Sequence, residues 1–136
     1  MSKKFKRKTQ KDAIDTLFKK LYREKIGKCE YCGATSSQVM LNAHHVIGCT
    51  AMSTRWHEPN MCCLCSNHHV FSSEFSAHLT PTLFTLWIIK KRGKKWHADL
   101  EKKHREIKQY TDEELINLRK ELNDKYKGGN KAKEKK

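Results

Sequence analysis

Apolar residues recur at helical spacing over residues 10–26, where Ala13, Ile14, Leu17, Phe18, Leu21 and Tyr22 are separated largely by lysines and other polar residues. The spacing predicts an amphipathic helix, with Thr9 and Asp12 at its start and Gly27 at its stop. The pattern then becomes short and broken. Cys29 to Gly33 predicts a tight turn, and Val39, Leu41 and Ala43 alternate over residues 38–44 as in a short strand. A long loop follows over residues 46–59, with Gly48 and Pro59 in it. Met61 to Leu64 suits a second strand, and residues from about 66 to 77 predict a helix. Thr80-Pro81 opens another helix carrying Leu83, Phe84, Leu86, Trp87 and Ile88 and stopping at Gly93. A further helix is predicted over residues 94–108. Thr111-Asp112-Glu113-Glu114 is a capping box for a last helix over residues 112–126, which Gly128-Gly129 should end. The predicted class is α+β: a strand, loop, strand, helix core flanked by an N-terminal helix and C-terminal helices.

Composition narrows this picture. The 136 residues suit one domain. Residues 1–8 and 127–136 are lysine-dense and apolar-poor, and are expected to be disordered basic arms around a domain at 9–126. With 29 Lys+Arg against 15 Asp+Glu, the net charge of +14 points to a polyanion, nucleic acid first. The stretch from Thr82 to Ile89 is too short to span a membrane, and no apolar run follows the basic N-terminus. A cytoplasmic protein with no membrane partner is therefore expected. In a reducing compartment the six cysteines suit zinc rather than disulfides.

Structural zinc takes four ligands, usually as two close pairs from distant parts of the chain. Cys29 and Cys32 form one pair. The other is either Cys62/Cys65 or Cys65/His68. The second phasing is preferred because it leaves His69 spare immediately after the pair. Cys62 and Cys63 then become small core residues and Cys49 a loop thiol.

The spare histidine belongs to a larger constellation with His44-His45 and Asn60. Successive residues on a strand face opposite sides, so one imidazole of the doublet can hold a divalent ion while the other deprotonates water. Such an ion neutralises phosphate charge and stabilises a leaving oxygen. The pattern therefore fits metal-assisted phosphodiester hydrolysis.

Residues 29–75 resemble the His-Asn-His (HNH) endonucleases of the ββα-metal fold. The match runs through Cys29-x-x-Cys32-Gly33, Ala43-His44-His45-Val46, Pro59-Asn60-Met61 and Leu64-Cys65-x-x-His68-His69. The resemblance implies a ββα-metal core over about 29–77 and metal ligation by His44 and His69. It makes His45 the general base and Asn60 a positioning residue or a further metal ligand. His68 stands in place of the usual second cysteine of the knuckle. Ser73 stands where toxin-type members carry another metal histidine. The run from Ser53 to Asn60, and Tyr110 to Glu114, are also similar to the phage recombination nucleases of the NinG or Rap type, which act on branched DNA. That family carries asparagine where His69 stands. The resemblance implies a structural Zn²⁺ and a catalytic Mg²⁺ or Mn²⁺, with Zn²⁺ or Ni²⁺ as alternatives. It also implies a duplex or branched DNA partner and a nucleoid-associated setting in a bacterial or phage-infected cell.

Arg55 could clamp a phosphate during catalysis or be tied to Glu58; Trp56 reads as core and His57 as surface. Lys90, Lys91, Arg92, Lys94 and Lys95 are candidates for tracking a nucleic-acid backbone without reading sequence. The expected function is a DNA endonuclease of low sequence specificity or with a preference for branched DNA. The competing reading is a non-catalytic zinc-stabilised nucleic-acid-binding module, which has no need of His45; a thiol redox or metal-sensing role for Cys49, Cys62 and Cys63 is the third. Monomer and homodimer both remain open.

Overall fold

A computed structural model describes residues 6–134, with side chains as far as residue 127. Its elements are α1 (Arg7–Ile26), β1 (Leu41–His45), α2 (Met52–Arg55), β2 (Met61–Cys65), α3 (Pro81–Arg92), α4 (Lys94–Arg105) and α5 (Asp112–Glu134). A 3-10 turn at Glu58–Asn60 precedes β2 and a π-helical turn at Asn67–Phe71 follows it. The chain is α+β with a two-stranded antiparallel sheet. Tyr22–Lys108 forms one compact unit; Met1–Leu21 with Gln109–Lys136 forms the other.

In the larger unit, β1 and β2 pair with His44 opposite Cys62 and His45 opposite Met61. All five residues of β2 are buried. Leu64, Phe75, Ala77, Phe84 and Ile88 cluster with Cys29, Cys62 and Cys65, and Val39, Trp87 and Trp96 pack against them. Pro81 starts α3, where a missing N–H costs nothing. Gly93 at φ 99° turns the chain from α3 into α4, a backbone conformation that L side chains rarely adopt.

The other edge of β2 is closed by Glu30. Its N–H donates to the Cys63 carbonyl at 2.8 Å, and its carboxylate accepts the Cys63 N–H at 2.6 Å. The same carboxylate accepts from Arg92 at 2.9 Å and from the Tyr22 hydroxyl at 2.9 Å. Arg92 also donates to the Met61 carbonyl at 2.8 Å. This hub joins the end of α1, the turn after it, β2 and α3. Burial raises the Glu30 pKa, but the Cys63 N–H and the Arg92 charge outweigh it, so the carboxyl sits below its usual range. Arg92 is raised: burial opposes its charge, and the Glu30 carboxylate more than restores it.

The smaller unit holds most of α1 and all of α5. Arg7 pairs with Asp112, Arg119 donates to Gln10 at 3.1 Å, and Lys20 lies over Tyr126 at 4.4 Å. These pairs make the two helices run in the same direction. The capping box is formed reciprocally: the Thr111 N–H donates to Glu114 at 3.0 Å, and the Glu114 N–H to the Thr111 hydroxyl at 3.1 Å.

Several boundaries differ from the sequence pattern. α1 begins at Arg7, so Thr9 lies inside it and Arg7 and Lys8 are helical rather than part of an arm. Residues 1–5 of that arm lie outside the described residues. α5 runs through Gly128 and Gly129 to Glu134, eight residues past the expected end at 126. Each glycine costs a helix roughly 1 kcal/mol relative to alanine, while Lys131, Ala132, Lys133 and Glu134 are good helix formers. The largest correction concerns residues 66–77, where the expected helix is a single π-helical turn. The Ser72 hydroxyl accepts the N–H groups of Glu74 and Phe75, each at 3.2 Å, and the Ser76 hydroxyl accepts that of Leu79 at 3.0 Å. These local bonds compete with helical ones and turn the chain back.

Candidate metal centres and the surrounding site

Cys29, Cys32, Cys65 and His68 form one cluster, with one ligand atom from each lying within 4.8 Å of the others. Gly33, at φ 80°, closes the turn by donating its N–H to the Cys29 carbonyl at 2.9 Å. The Glu30–Cys63 pairing then seats this turn two residues from Cys65. The Cys32 and Cys65 sulfurs are 3.9 Å apart. Nδ1 of His68 lies 3.2 Å from the Cys65 sulfur and 4.0 Å from that of Cys29. A tetrahedral zinc with metal–sulfur bonds of about 2.3 Å places two sulfurs about 3.8 Å apart. The donor set and the spacing both fit, and the cluster can hold a structural metal such as zinc. Tyr31, in the same turn, stacks on Phe75 at 3.7 Å and lies 4.7 Å from the His68 ring.

Within the cluster the thiols differ: burial first, and then the Cys29 charge, raise Cys65. Burial opposes ionisation of Cys29, but the N–H groups of Cys32, Cys65 and Tyr31 win and lower its pKa. Cys62 and Cys63 behave as buried neutral thiols. Burial, then the Glu30 charge, pushes Cys63 up to about 12 and Cys62 higher still. Cys49 is exposed in the loop after β1.

A second cluster lies one peptide bond away. One ring nitrogen each from His44, His69 and His78 falls within 4.8 Å of the others. His44 comes from β1 and His69 from the π-helical turn, an element that recurs at functional sites. His78 comes from the segment folded back by Ser72 and Ser76. The Ala77 and His78 N–H groups donate to the carbonyls of His68 and His69 at 2.9 and 3.0 Å, which lays residues 77–78 alongside the turn. The Nε2 atoms of His69 and His78 are 3.1 Å apart. The His44 ring is centred 5.1 Å from that of His69, 5.2 Å from that of His78 and 5.2 Å from Phe84. Three imidazoles converging beside an apolar wall make a donor set suited to a divalent transition metal.

His45, on the opposite face of β1, is held differently. Its Nε2 lies 2.8 Å from the Arg55 carbonyl. A carbonyl can only accept, so Nε2 carries the proton and the lone pair of the neutral ring is on Nδ1. Asn60 fixes the loop that supplies this carbonyl. Its Oδ1 accepts the Ile47 N–H at 2.8 Å, and its Nδ2 donates to the Gly48 and Thr54 carbonyls at 3.3 and 3.1 Å. Asn60 is fully buried. The sequence also offers Asn60 as a metal ligand; here its amide makes these three bonds with the loop.

Other candidates are placed as follows. Arg55 donates to the Cys49 carbonyl at 3.5 Å and lies over Trp56 at 5.7 Å. Glu58 pairs with Lys25. His57 is half-buried, and burial together with Lys103 lowers its pKa. Arg92 is half-buried, with its guanidinium held by Glu30 in the hub. Lys91 donates to the Glu30 carbonyl at 2.9 Å and Lys95 pairs with Asp99 at 3.2 Å, both remaining exposed along with Lys90 and Lys94.

The sequence reading missed His78. Its nine-residue separation from His69 follows no helical or strand period. The only available signal was the crowding of histidines between His44 and His78. Ser73, the position where the resemblance puts an extra ligand in some nucleases, is exposed in the turn. No helix among the described residues is long and apolar enough to cross a membrane. No family model, curated protein or solved structure matches the chain.

Proposed function

We propose that this chain is a metal-dependent DNA endonuclease of the His-Asn-His type. The observation that carries the reading is the three-histidine cluster on one face of β1 with His45, its Nε2 proton anchored, on the other. The sulfur-rich cluster suits a structural metal, so we read the second, all-nitrogen cluster as serving another purpose. A bound divalent ion would neutralise a non-bridging phosphate oxygen and stabilise the leaving 3′-oxygen.

The chain's own groups supply the rest. His45 takes the proton of the attacking water at Nδ1, and the Arg55 carbonyl stabilises the imidazolium that results. Asn60 keeps that carbonyl in place. Arg55, Lys90, Lys94 and Lys95 offer positive charge to the phosphate backbone, within a chain of net charge +14. Three imidazoles favour Mn²⁺, Ni²⁺ or Zn²⁺ over Mg²⁺, which prefers oxygen donors. The similarity to the phage recombination nucleases adds branched DNA as the narrower substrate.

The deciding experiment is incision of supercoiled plasmid by zinc-loaded protein with each of Mg²⁺, Mn²⁺, Ni²⁺ and added Zn²⁺. Cleavage should require an added ion and disappear in His44→Ala and His78→Ala. Tight DNA binding without incision under every ion would favour the non-catalytic zinc module instead.

A further inference from the structure

The three-histidine cluster works as a metal site only if His69 presents a lone pair at Nε2. The neutral histidine side chain in water favours the opposite tautomer, with the proton on Nε2, so something in the fold must hold the proton on Nδ1. Asn42 lies on β1 two residues before His44 and faces the same side of the strand. Its Oδ1 is 3.3 Å from Nδ1 of His69. Its Nδ2 donates to the Ser66 hydroxyl at 3.3 Å. Ser66 is itself fixed by the end of the strand ladder, where its N–H donates to the Met40 carbonyl at 3.1 Å.

We propose that Asn42 is a positioning residue that selects the Nδ1–H tautomer of His69 and so opens Nε2 to a metal ion. This rests on the metal-site reading above. An amide oxygen only accepts, so its contact with Nδ1 places the proton there. A flipped amide would offer N–H to Nδ1 and drive the proton to Nε2, closing the site against a cation. In the orientation observed, the amide nitrogen donates to the Ser66 hydroxyl and leaves the oxygen to face His69. The arrangement also makes His69 a better donor, since a ligating imidazole gains basicity when its other N–H is hydrogen-bonded.

The test uses full-length protein with zinc in the knuckle. Nitrogen-15 NMR of the histidine rings, with no further metal, should find His69 as Nδ1–H in the native chain and mainly as Nε2–H in Asn42→Leu. Titration with Co²⁺, followed by its d–d absorption, should show binding about 10–100-fold weaker in Asn42→Leu. Absence of a thiolate-to-cobalt band confirms that zinc still fills the knuckle. Asn42→Asp keeps an acceptor and should bind Co²⁺ at least as tightly as the native chain. Unchanged tautomer and affinity in Asn42→Leu, with Co²⁺ binding lost in His44→Ala and His78→Ala, would overturn the role of Asn42 alone. Native Co²⁺ affinity in the two histidine variants would overturn the metal site itself, and the role of Asn42 with it.

Discussion

At the scale of single residues, the proposed mechanism gives His45 the chemistry and Asn60 the support. His45 lies outside both ligand clusters and meets the Arg55 carbonyl, so on the proposed mechanism His45→Ala should leave zinc content and DNA affinity near native while cleavage falls about 10²–10⁴-fold, the usual worth of general-base catalysis. Single-turnover rates measured beside DNA-binding isotherms check this, and a near-native rate would remove His45 from the mechanism. Asn60 makes three hydrogen bonds from a fully buried amide. Asn60→Ala leaves buried loop groups without partners, each costing about 1–3 kcal/mol. It should lower both stability and cleavage, because the loop carries the carbonyl that orients His45. A variant with native thermal stability would contradict the stapling role.

At the scale of elements, the π-helical turn Asn67–Phe71 carries His68 toward the sulfur cluster and His69 toward the nitrogen cluster. The two are adjacent in the chain, so a shift of the turn displaces both. Stripping zinc, or replacing Cys65 by Ser, should therefore weaken divalent-ion binding at His44, His69 and His78 as well as melting the fold. Structural zinc contributes on the order of 10 kcal/mol in small zinc peptides. Calorimetric Ni²⁺ titration of chelator-treated and zinc-restored protein tests the coupling, which fails if Ni²⁺ affinity at the histidines survives zinc removal. The Glu30 hub gives a pH dependence with a definite sign. Its folded pKa lies below its ordinary value. Its contribution is thus fully present above about pH 4.3, the usual Glu value, and is lost as pH falls through the lower folded value. Glu30→Gln should be less stable at neutral pH and should lose less on acidification. Equal acid sensitivity in urea melts from pH 6 to 3 would count against the hub.

At the scale of the whole molecule, charge is what the proposed encounter with DNA would rest on. A net charge of +14 and exposed Lys90, Lys94 and Lys95 without a base-reading element predict affinity that falls steeply with salt and cares little for sequence. Each neutralised phosphate contributes about −0.9 to the slope of log K against log salt on duplex DNA. Lys90→Ala with Lys94→Ala should reduce that slope, whereas Arg92→Ala should act chiefly through stability, since Arg92 is bound into the hub. Binding and incision of linear, forked and four-way DNA across a salt series measure both effects. A single preferred sequence retained at high salt would overturn the backbone-binding model. Equal rates on all three shapes would remove the branched-DNA preference.

Features set by neighbours three or four residues apart were legible in the chain. The Cys-x-x-Cys and Cys-x-x-His pairs, Pro81 at the start of α3, Gly93 at its end and the Thr111–Glu114 box all have their geometry fixed by local spacing. The doublet His44-His45 sends its two side chains to opposite faces because strand residues alternate. What lay beyond the sequence depended on hydrogen bonds between segments far apart. Glu30 pairing with Cys63 chose where the first cysteine pair docks, and the same carboxylate holds the Arg92 guanidinium. Ser72 and Ser76 defeated a plausible helix and returned the chain, so that His78 reached His69. The register of β1 on β2 brought Asn42 beside Ser66, and their amide–hydroxyl bond faces His69. Periodicity encodes which side of an element a residue takes, but only the packed fold decides which distant group stands opposite it.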